Sequence, residues 1–201
     1  MPKPPRRFFT SDNHIGHRVV ATVHRPFETV EEHDAYLASQ WDALVRPNDI
    51  VYVLGDISIS PHRDKAFEWF QARPGIKHLV MGNHDPVHPL FGSKALSEQR
   101  KPEWLETFAT VNQFLRVSIN GYKVMLSHFP YFGSGEGSRD MDERYSEFRL
   151  VDAGLPLLHG HTHSSSSVGR TAKQLHIGLD AWGFAPVSES EVAKWLKETI
   201  D

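Results

Sequence analysis

Three short apolar runs at residues 7–10, 49–54 and 76–81 constrain the fold more than any other feature of this sequence. Each run is a predicted β-strand, and DIVYVL at 49–54 has the continuous apolar character of a strand that is covered on both faces. A helix pattern separates each pair of runs: the first begins with a capping box at Thr29, and the second occupies 61–73. This β-α-β-α-β order predicts a parallel sheet with right-handed crossovers.

The second half of the chain has a different pattern. It contains Asn120-Gly121 between two alternating runs, which is the strongest short-range signal for a β-hairpin. Two β-sheets packed face to face, with helices outside, would accommodate a parallel half and an antiparallel half. The elements predicted here are strands at 111–119, 122–127, 155–158 and 174–179 and a final helix capped by Ser188.

The composition limits the classes of protein to which the chain can belong. With 201 residues, of which 39% are hydrophobic and 23% charged, we predict one compact domain over 1–201. The formal net charge of −3 provides no global positive field, so we expect no stable complex with nucleic acid and no attraction to a membrane. We expect the protein to be a monomer or a homodimer.

The cysteine content and the lengths of the apolar runs indicate in which cellular compartment the protein is expected. The sequence has no cysteine, which excludes disulfides and thiolate metal sites. No apolar run approaches the roughly 18 residues that a membrane span requires, and the start lacks the apolar segment of a signal peptide. We therefore expect a cytoplasmic protein whose strong metal ligands are imidazoles and carboxylates.

Such ligands follow the predicted strands at the points where the strands end. The carboxyl ends of strands form the edge of an α/β sheet at which ligands bind. Asp12 and His14 are two residues apart, as are His161 and His163, so in extended backbone each pair would project to one side. The candidate ligands are Asp12, His14, Asp56, Asn83, His128, His161 and His163.

The number of these ligands favours two ions over one. Two carboxylates, one amide and four imidazoles are more donors than one tetrahedral zinc with an open position uses. They suit two hard or borderline ions that share a bridging carboxylate. Gly55, Gly82 and Gly160 each precede a ligand, where a missing Cβ allows a tight turn or a close approach.

Five short motifs, DNH, GD, GNHD, SH and GHTH, occur in this order between residues 12 and 163. Together they resemble the signature of calcineurin-like metallophosphoesterases, and each follows an apolar strand. The segments TSDNHIGH, RPF, VYVLGD and LDAWGFAPVS also resemble a small single-domain subgroup of phosphodiesterases found in bacteria and their phages.

The resemblance implies a four-layer αββα sandwich, with two mixed sheets flanked by helices and a dinuclear metal site at the strand ends. It implies attack on phosphorus by a hydroxide that bridges two divalent ions, with Mn²⁺ expected and Fe or Zn as alternatives. His84 would contact the phosphate, and Asp85 would orient its imidazole. Carried over by motif, one ion would be held by Asp12, His14 and His163, the other by Asn83, His128 and His161, and both by Asp56.

The motifs of this chain differ from those of other branches of the superfamily that it resembles, and these differences limit the class of substrate. Protein phosphatases are expected to read GNHE and to continue GD with an acid and Arg-Gly, whereas this chain has GNHD and GDISIS. We therefore expect a phosphodiesterase for small diesters, with cyclic nucleotides such as 2′,3′- or 3′,5′-cyclic nucleoside monophosphates as substrates. The alternatives are a small nuclease, a phosphomonoesterase, or a metal-binding interaction scaffold without catalysis.

Three further side chains are candidates for contact with substrate. His17 lies three residues after His14, and a surface role for it is equally compatible with the sequence. Arg139 and Arg144 belong to the Gly-rich, charged segment 131–148, which is either a specificity element beside the site or a loop with no role.

Overall fold

A computed structural model of the chain describes residues 4–59, 61–131, 144–168 and 173–200. Across these residues it contains two β-sheets and five α-helices. The strands are β1 (Arg7–Thr10), β2 (Ile50–Val53), β3 (Ile76–Val80), β4 (Thr110–Asn112), β5 (Phe114–Ile119), β6 (Tyr122–Ser127), β7 (Leu157–His159), β8 (Gln174–His176) and β9 (Val187–Ser188). The helices are α1 (Val30–Leu44), α2 (Arg63–Gln71), α3 (Ser93–Glu98), α4 (Glu103–Thr107) and α5 (Glu189–Ile200).

The first sheet has the strand order β4-β3-β2-β1-β9. Strands β1 to β4 are parallel, as the alternation of strands and helices predicts, and β9 is antiparallel to β1. The predicted capping boxes are present, because Thr29 Oγ1 accepts the Glu32 N–H at 3.1 Å and Ser188 Oγ accepts the Glu191 N–H at 3.3 Å. Residues 187–188, which the sequence does not mark as a strand, form the β9 edge directly before α5.

The second sheet has the order β5-β6-β7-β8. Strands β5 and β6 form the predicted hairpin around Asn120 and Gly121, whose φ angles of 48° and 88° fit the tight turn that an Asn-Gly pair favours. Strands β6, β7 and β8 are parallel to one another. Two mixed sheets flanked by helices are thus confirmed.

The strand predicted at 111–119 is two strands in different sheets. Val111 in β4 pairs with Leu79 of the first sheet, whereas Phe114 in β5 pairs with Ser127 of the second. Gln113 lies between them, and the chain passes there from one sheet to the other. A continuous apolar run cannot reveal this change of partner, since both halves have the same residue pattern.

Successive side chains along the strands of the first sheet point alternately to its two faces and contribute to two apolar layers. Phe8 and Leu79 contribute to the layer under the helices, which also contains Trp41, whereas Phe9 and Val80 face the second sheet. Burial on both faces explains the continuous apolar runs, since each large side chain stabilises the fold by about 1.5–3 kcal/mol. In the described part of the chain, no helix is long and apolar enough to cross a membrane.

Candidate metal centre

Five loops converge at one edge of the sandwich, and each begins at the carboxyl end of a strand. Loops after β1, β2 and β3 come from the first sheet, and loops after β6 and β7 come from the second. The loops carry all seven candidate ligands, so both sheets contribute to one site. The ligands are Asp12 and His14 after β1, Asp56 after β2, Asn83 after β3, His128 after β6, and His161 and His163 after β7.

Five of these ligands have left-handed backbone conformations. The φ angles are 60° for Asp12, 48° for His14, 53° for Asp56, 69° for His161 and 49° for His163. The expectation that the paired ligands project from extended backbone is therefore wrong. Positive φ is uncommon for residues with a Cβ, and such strain concentrates at functional sites.

Asp12, His14 and His163 form the first ligand group, in which one ligand atom from each lies within 4.8 Å of the others. His14 Nε2 is 3.2 Å from His163 Nε2, and His163 Nε2 is 3.9 Å from Asp12 Oδ1. Two imidazole nitrogens that face each other at this distance are arranged as two ligands of one cation.

Asp56, His128 and His161 form the second ligand group under the same 4.8 Å limit. Asn83 joins them, because its Oδ1 is 3.0 Å from His128 Nε2. Asp56 Oδ2 is 3.4 Å from His128 Nε2 and 3.8 Å from His14 Nε2. Asp56 therefore lies between the two groups, as a carboxylate shared by two ions must.

Backbone groups fix the orientation of the ligands. The His161 N–H donates to both carboxylate oxygens of Asp12 at 3.2 and 3.0 Å, and the His84 N–H donates to Asp56 Oδ1 at 2.8 Å. His128 Nδ1 is 2.7 Å from the Leu54 carbonyl oxygen, which makes Nδ1 the protonated nitrogen and leaves the Nε2 lone pair for a metal.

Asp85 has a different role from the predicted one. Its carboxylate accepts the N–H groups of Asp56, Ile57 and Gly82 at 3.0, 3.1 and 2.7 Å. Within the described residues it makes no hydrogen bond to the His84 imidazole, so it does not orient that ring. Asp85 instead ties the loop after β3 to the loop after β2.

The protonation states of the buried groups suit divalent cations. Burial lowers the pKa of His128 and, well below the usual value, those of His14 and His161, which keeps these imidazoles neutral and able to bind a metal. Burial, reinforced by the charge of Asp12, raises the pKa of Asp56 well above its usual value. Burial and the charge of Asp12 disfavour the ionised form of Asp56 unless a cation offsets them, so these carboxylates and imidazole nitrogens are a donor set that fits two divalent ions.

Two glycines allow the loops after β2 and β3 to touch. A Cβ on Gly55 would lie 2.5 Å from Gly82 Cα, and a Cβ on Gly82 would lie 2.5 Å from the Asp56 nitrogen. Gly55 also has a φ of 86°, which favours glycine. The predicted role of these glycines in close backbone approach agrees with this packing.

The remaining predicted residues lie around the mouth of the site or outside the described residues. The His84 side chain is 48% exposed, with its Nε2 4.0 Å from Asp56 Oδ2, and the half-buried His17 has its Nδ1 3.5 Å from His14 Nδ1. The Arg144 guanidinium is 5.9 Å from the ring centre of Tyr145. Arg139 lies outside the described residues.

Three residues at the site were not predicted from the sequence. The Tyr145 ring lies 5.8 Å from the ring of His161, on a left-handed backbone with φ of 61°. Asp180 Oδ2 is 3.0 Å from His163 Nδ1, and Arg25 donates to both Asp180 oxygens at 2.8 and 3.0 Å. Arg25 and Asp180 belong to the RPF and LDAWGF segments, which support the family resemblance. That resemblance did not indicate a role for either residue.

The chain is similar to several known proteins. A sequence profile of the calcineurin-like phosphoesterase family matches residues 5–165. The gene 66 protein of Mycobacterium phage L5 is 38% identical over 187 residues, which are 88% of this chain and 87% of that protein. The gene 66 protein of Mycobacterium phage D29 is 41% identical over 182 residues, which are 87% of this chain and 88% of that protein. A protein of unknown function from Aquifex aeolicus, 22% identical, has a solved structure with a TM-score of 0.69 over 95% of this chain and 99% of its own, so the two share a fold.

Proposed function

We propose that this chain, which belongs to the calcineurin-like phosphoesterase family, hydrolyses small phosphodiesters. As a member of that family it is a metal-dependent phosphoesterase. Cyclic nucleotides, either 2′,3′- or 3′,5′-cyclic nucleoside monophosphates, are the substrates that we favour. The observation that carries the proposal is the pair of adjacent ligand groups, with Asp56 of the second group also near His14 of the first, beside the exposed imidazole of His84.

The two ligand groups would bind two divalent ions, for which Mn²⁺ is our first choice and Fe or Zn the alternatives. When bound, the ions supply Lewis acidity, which lowers the pKa of a water and offsets the negative charge of the phosphate. The chain contributes imidazole nitrogens and carboxylate oxygens as ligands, and its backbone amides hold the carboxylates of Asp12 and Asp56 in place. In this assignment Asp12, His14 and His163 would hold one ion, Asn83, His128 and His161 would hold the other, and Asp56 would serve as a ligand for both.

His84 is the residue that we assign to the phosphate. Its backbone N–H donates to Asp56 Oδ1 at 2.8 Å, and its imidazole Nε2 lies 4.0 Å from Asp56 Oδ2. Burial lowers the pKa of His84, which favours a neutral ring with one N–H to donate. Such a ring can donate a hydrogen bond to a phosphate oxygen, whereas to protonate the departing oxygen it would first have to take up a proton and become an imidazolium.

The side chains around the mouth support a small substrate. The His17 ring lies 5.4 Å from His14 of the first ligand group, and the Tyr145 ring lies 5.8 Å from His161 of the second. Arg144, next to Tyr145, adds a positive charge for an anionic substrate. The aromatic ring of Tyr145 would contact an apolar or heterocyclic group of the diester.

The test is a panel of substrates assayed with purified protein. We expect Mn²⁺-dependent hydrolysis of bis(p-nitrophenyl) phosphate and of cyclic nucleotides, and nearly complete loss of both in Asp56→Asn. Asp49→Asn is the matched control, since Asp49 is a buried carboxylate bonded to Arg6 at 3.1 Å and belongs to neither ligand group. Equal turnover in the wild type and Asp56→Asn, or no turnover of any diester, would contradict the proposal.

The same panel separates the alternatives. Turnover confined to single-stranded RNA or DNA would identify a small nuclease, and turnover confined to p-nitrophenyl phosphate would identify a phosphomonoesterase. Binding of metal without turnover of any substrate would identify a metal-binding scaffold. The presence of His84 at the mouth argues against the scaffold, which has no use for a side chain poised at the phosphate position.

A further inference from the structure

Two sequence segments without a role in the proposed chemistry meet behind the first ligand group. Arg25 directly follows a π-helical turn at Val20–His24, and its N–H donates to the Val20 carbonyl at 2.9 Å. Asp180 lies in a 3₁₀ turn at Leu179–Ala181. The two residues are 155 positions apart in sequence, yet they form a bidentate ion pair. π-helical turns are rare in proteins as a whole, and those that occur are often found at functional sites.

Every N–H of the Arg25 guanidinium has an acceptor. Nε and one Nη2 proton bond the Asp180 carboxylate at 2.8 and 3.0 Å. The other Nη2 proton bonds the Asp12 carbonyl at 2.7 Å, and the Nη1 protons bond the Asn13 carbonyl at 3.5 Å and His33 Nε2 at 2.9 Å. Because the Arg25 side chain is fully buried, water is not needed to satisfy these donors.

This set of bonds reaches all three members of the first ligand group. Arg25 holds the carbonyls of Asp12 and Asn13, which fixes the left-handed backbone that carries the Asp12 and His14 ligands. Through Asp180 it fixes His163, whose Nδ1 is 3.0 Å from Asp180 Oδ2. A carboxylate on Nδ1 leaves Nε2 for the metal and makes the imidazole a better donor.

The residues around Arg25 hold it rigidly. His33 accepts from Arg25 at Nε2, so its Nδ1 carries the proton and donates to Asp34 Oδ1 at 2.9 Å. The Asp34 carboxylate in turn accepts the Gly16 N–H at 3.2 and 3.1 Å. The ring of Phe184, from the same segment as Asp180, lies 5.6 Å from the Arg25 guanidinium carbon.

The second ligand group is oriented by other contacts. His128 is held by the Leu54 carbonyl. The His161 ring packs against Phe129 and Tyr145, with ring centres 4.9 and 5.8 Å away. Among the described residues, none of the hydrogen bonds of Arg25 or Asp180 reaches a side chain of this group. The two groups are linked indirectly, through the bond from the His161 N–H to Asp12, so a change at Arg25 or Asp180 should affect the first ligand group far more than the second.

We propose that Arg25 and Asp180 are positioning residues that hold Asp12, His14 and His163 in the geometry of one metal site. The inference rests on the proposed ligand assignment, and it makes the two metal sites separable by substitutions that remove no ligand. Asp180 sets the ring of His163, and Arg25 sets both Asp180 and the backbone after β1.

The test measures Co²⁺ binding to the metal-free protein in two backgrounds. His161→Ala removes a ligand of the second group and leaves the first, whereas His14→Ala leaves the second. Adding Asp180→Asn to His161→Ala should weaken Co²⁺ binding by about 10–100-fold and change the visible spectrum of the bound ion. Adding it to His14→Ala should change the dissociation constant by less than about twofold. Arg25→Lys keeps the charge but loses the planar fork, so it should give the same one-sided result.

The controls separate positioning from stability. Asp49→Asn and Arg6→Lys break another carboxylate–arginine pair outside the site, in which Asp49 is buried and Arg6 is 41% exposed, and they should leave Co²⁺ binding unchanged in both backgrounds. Far-UV circular dichroism and urea unfolding of the metal-free variants report folding. Equal weakening in both backgrounds, or unfolded Asp180→Asn and Arg25→Lys proteins beside a folded Asp49→Asn, would assign the pair a structural role and overturn the proposal.

The binding data also distinguish this inference from the proposed function. If His161→Ala binds one Co²⁺ and Asp180→Asn and Arg25→Lys do not weaken it, only the positioning role is overturned. If the wild type binds no Co²⁺, the ligand assignment fails, and the positioning role fails with it.

Discussion

Asn83 and His84 are neighbours in sequence but occupy different environments. Asn83 is buried, with its Oδ1 beside His128, whereas the His84 side chain is about half exposed at the mouth of the site. A tight turn after β3 separates them, because the Asp85 N–H donates to the Gly82 carbonyl at 3.1 Å. One residue therefore lies among the candidate metal ligands, and the next lies at the exposed mouth of the site.

Substitution should separate these two roles. We expect His84→Ala to lower kcat by about 10²–10³-fold, the range for loss of one hydrogen-bond donor to the transition state, with the metal content unchanged. Asn83→Ala should instead reduce the metal content, because it removes an oxygen donor from the second group. Steady-state kinetics and elemental analysis of the same preparations check both. A matched loss of metal in the two variants would make His84 a ligand and would refute its assignment to the phosphate.

A second prediction at this scale concerns His88, which is buried between Phe129 and Phe148. Burial lowers the pKa of His88 to about 4, and its Nδ1 accepts the Leu90 N–H at 3.1 Å. The unfolded imidazole titrates near pH 6.5, so between about pH 6.5 and 4 the unfolded chain binds more protons. His88 therefore makes the folded state less stable as the pH falls through this window.

His88→Asn should remove this pH dependence and keep the acceptor for Leu90. We expect the loss of unfolding free energy between pH 7 and pH 4.5 to be about 2–3 kcal/mol smaller in the variant than in the wild type. Urea titrations of the metal-free protein at the two pH values measure it. Identical losses in the two proteins would show that His88 does not contribute.

At the scale of the elements, the sequence predicts the strands and their ligands better than it predicts the loops between them. The apolar runs locate β1, β2 and β3 to within one or two residues, and five motifs identify the family, which the comparisons confirm. Both signals are local, and each strand end brings its ligand to the edge whatever the loop geometry.

Features that depend on distant partners could not be predicted in the same way. The left-handed backbone of Asp12 and His14 is held by Arg25 and by loops from other strands, and no local pattern for an Asp or His indicates it. The break at Gln113 depends on which sheet each half of the run joins. Asp180 is 17 residues beyond His163, so only the folded chain reveals their contact.

Contact between the loops after β2 and β3 leads to a prediction for Gly82. Its φ is not left-handed, so only space prevents a side chain, and a Cβ would meet the nitrogen and Oδ1 of Asp56. We expect Gly82→Ala to destabilise the fold by about 1–3 kcal/mol and to reduce the metal content of both groups by displacing Asp56. Thermal unfolding and elemental analysis provide the measurement.

The control for this prediction is Gly121→Ala. A Cβ on Gly121 meets nothing within 4 Å, although its φ of 88° makes the substitution strained. It should lower stability through the hairpin turn and leave the metal content unchanged. If Gly82→Ala retained two ions per chain, the tight contact between these loops would not be a requirement of the site.

At the scale of the whole molecule, the proposed metal centre is a set of links between the two sheets. The first ligand group takes Asp12 and His14 from the first sheet and His163 from the second. The second takes Asp56 from the first sheet and His128 and His161 from the second. Each ion would therefore connect both sheets, at an edge where burial and the charge of Asp12 raise the pKa of Asp56.

Metal should consequently stabilise the whole fold and not only the site. For an ion that binds the folded state alone, the gain is about 2.7 kcal/mol at a free concentration 100 times its dissociation constant. We expect Mn²⁺ to raise the Tm of the metal-free protein and EDTA to reverse the rise. Asp56→Asn should lose most of the gain, because Asp56 faces both groups, whereas Asn83→Ala should lose only the part due to the second ion. Asp49→Asn, which touches neither group, should keep the full rise even though its own Tm is lower. A metal-induced rise as large in Asp56→Asn as in the wild type would mean that the ions bind elsewhere and do not connect the sheets.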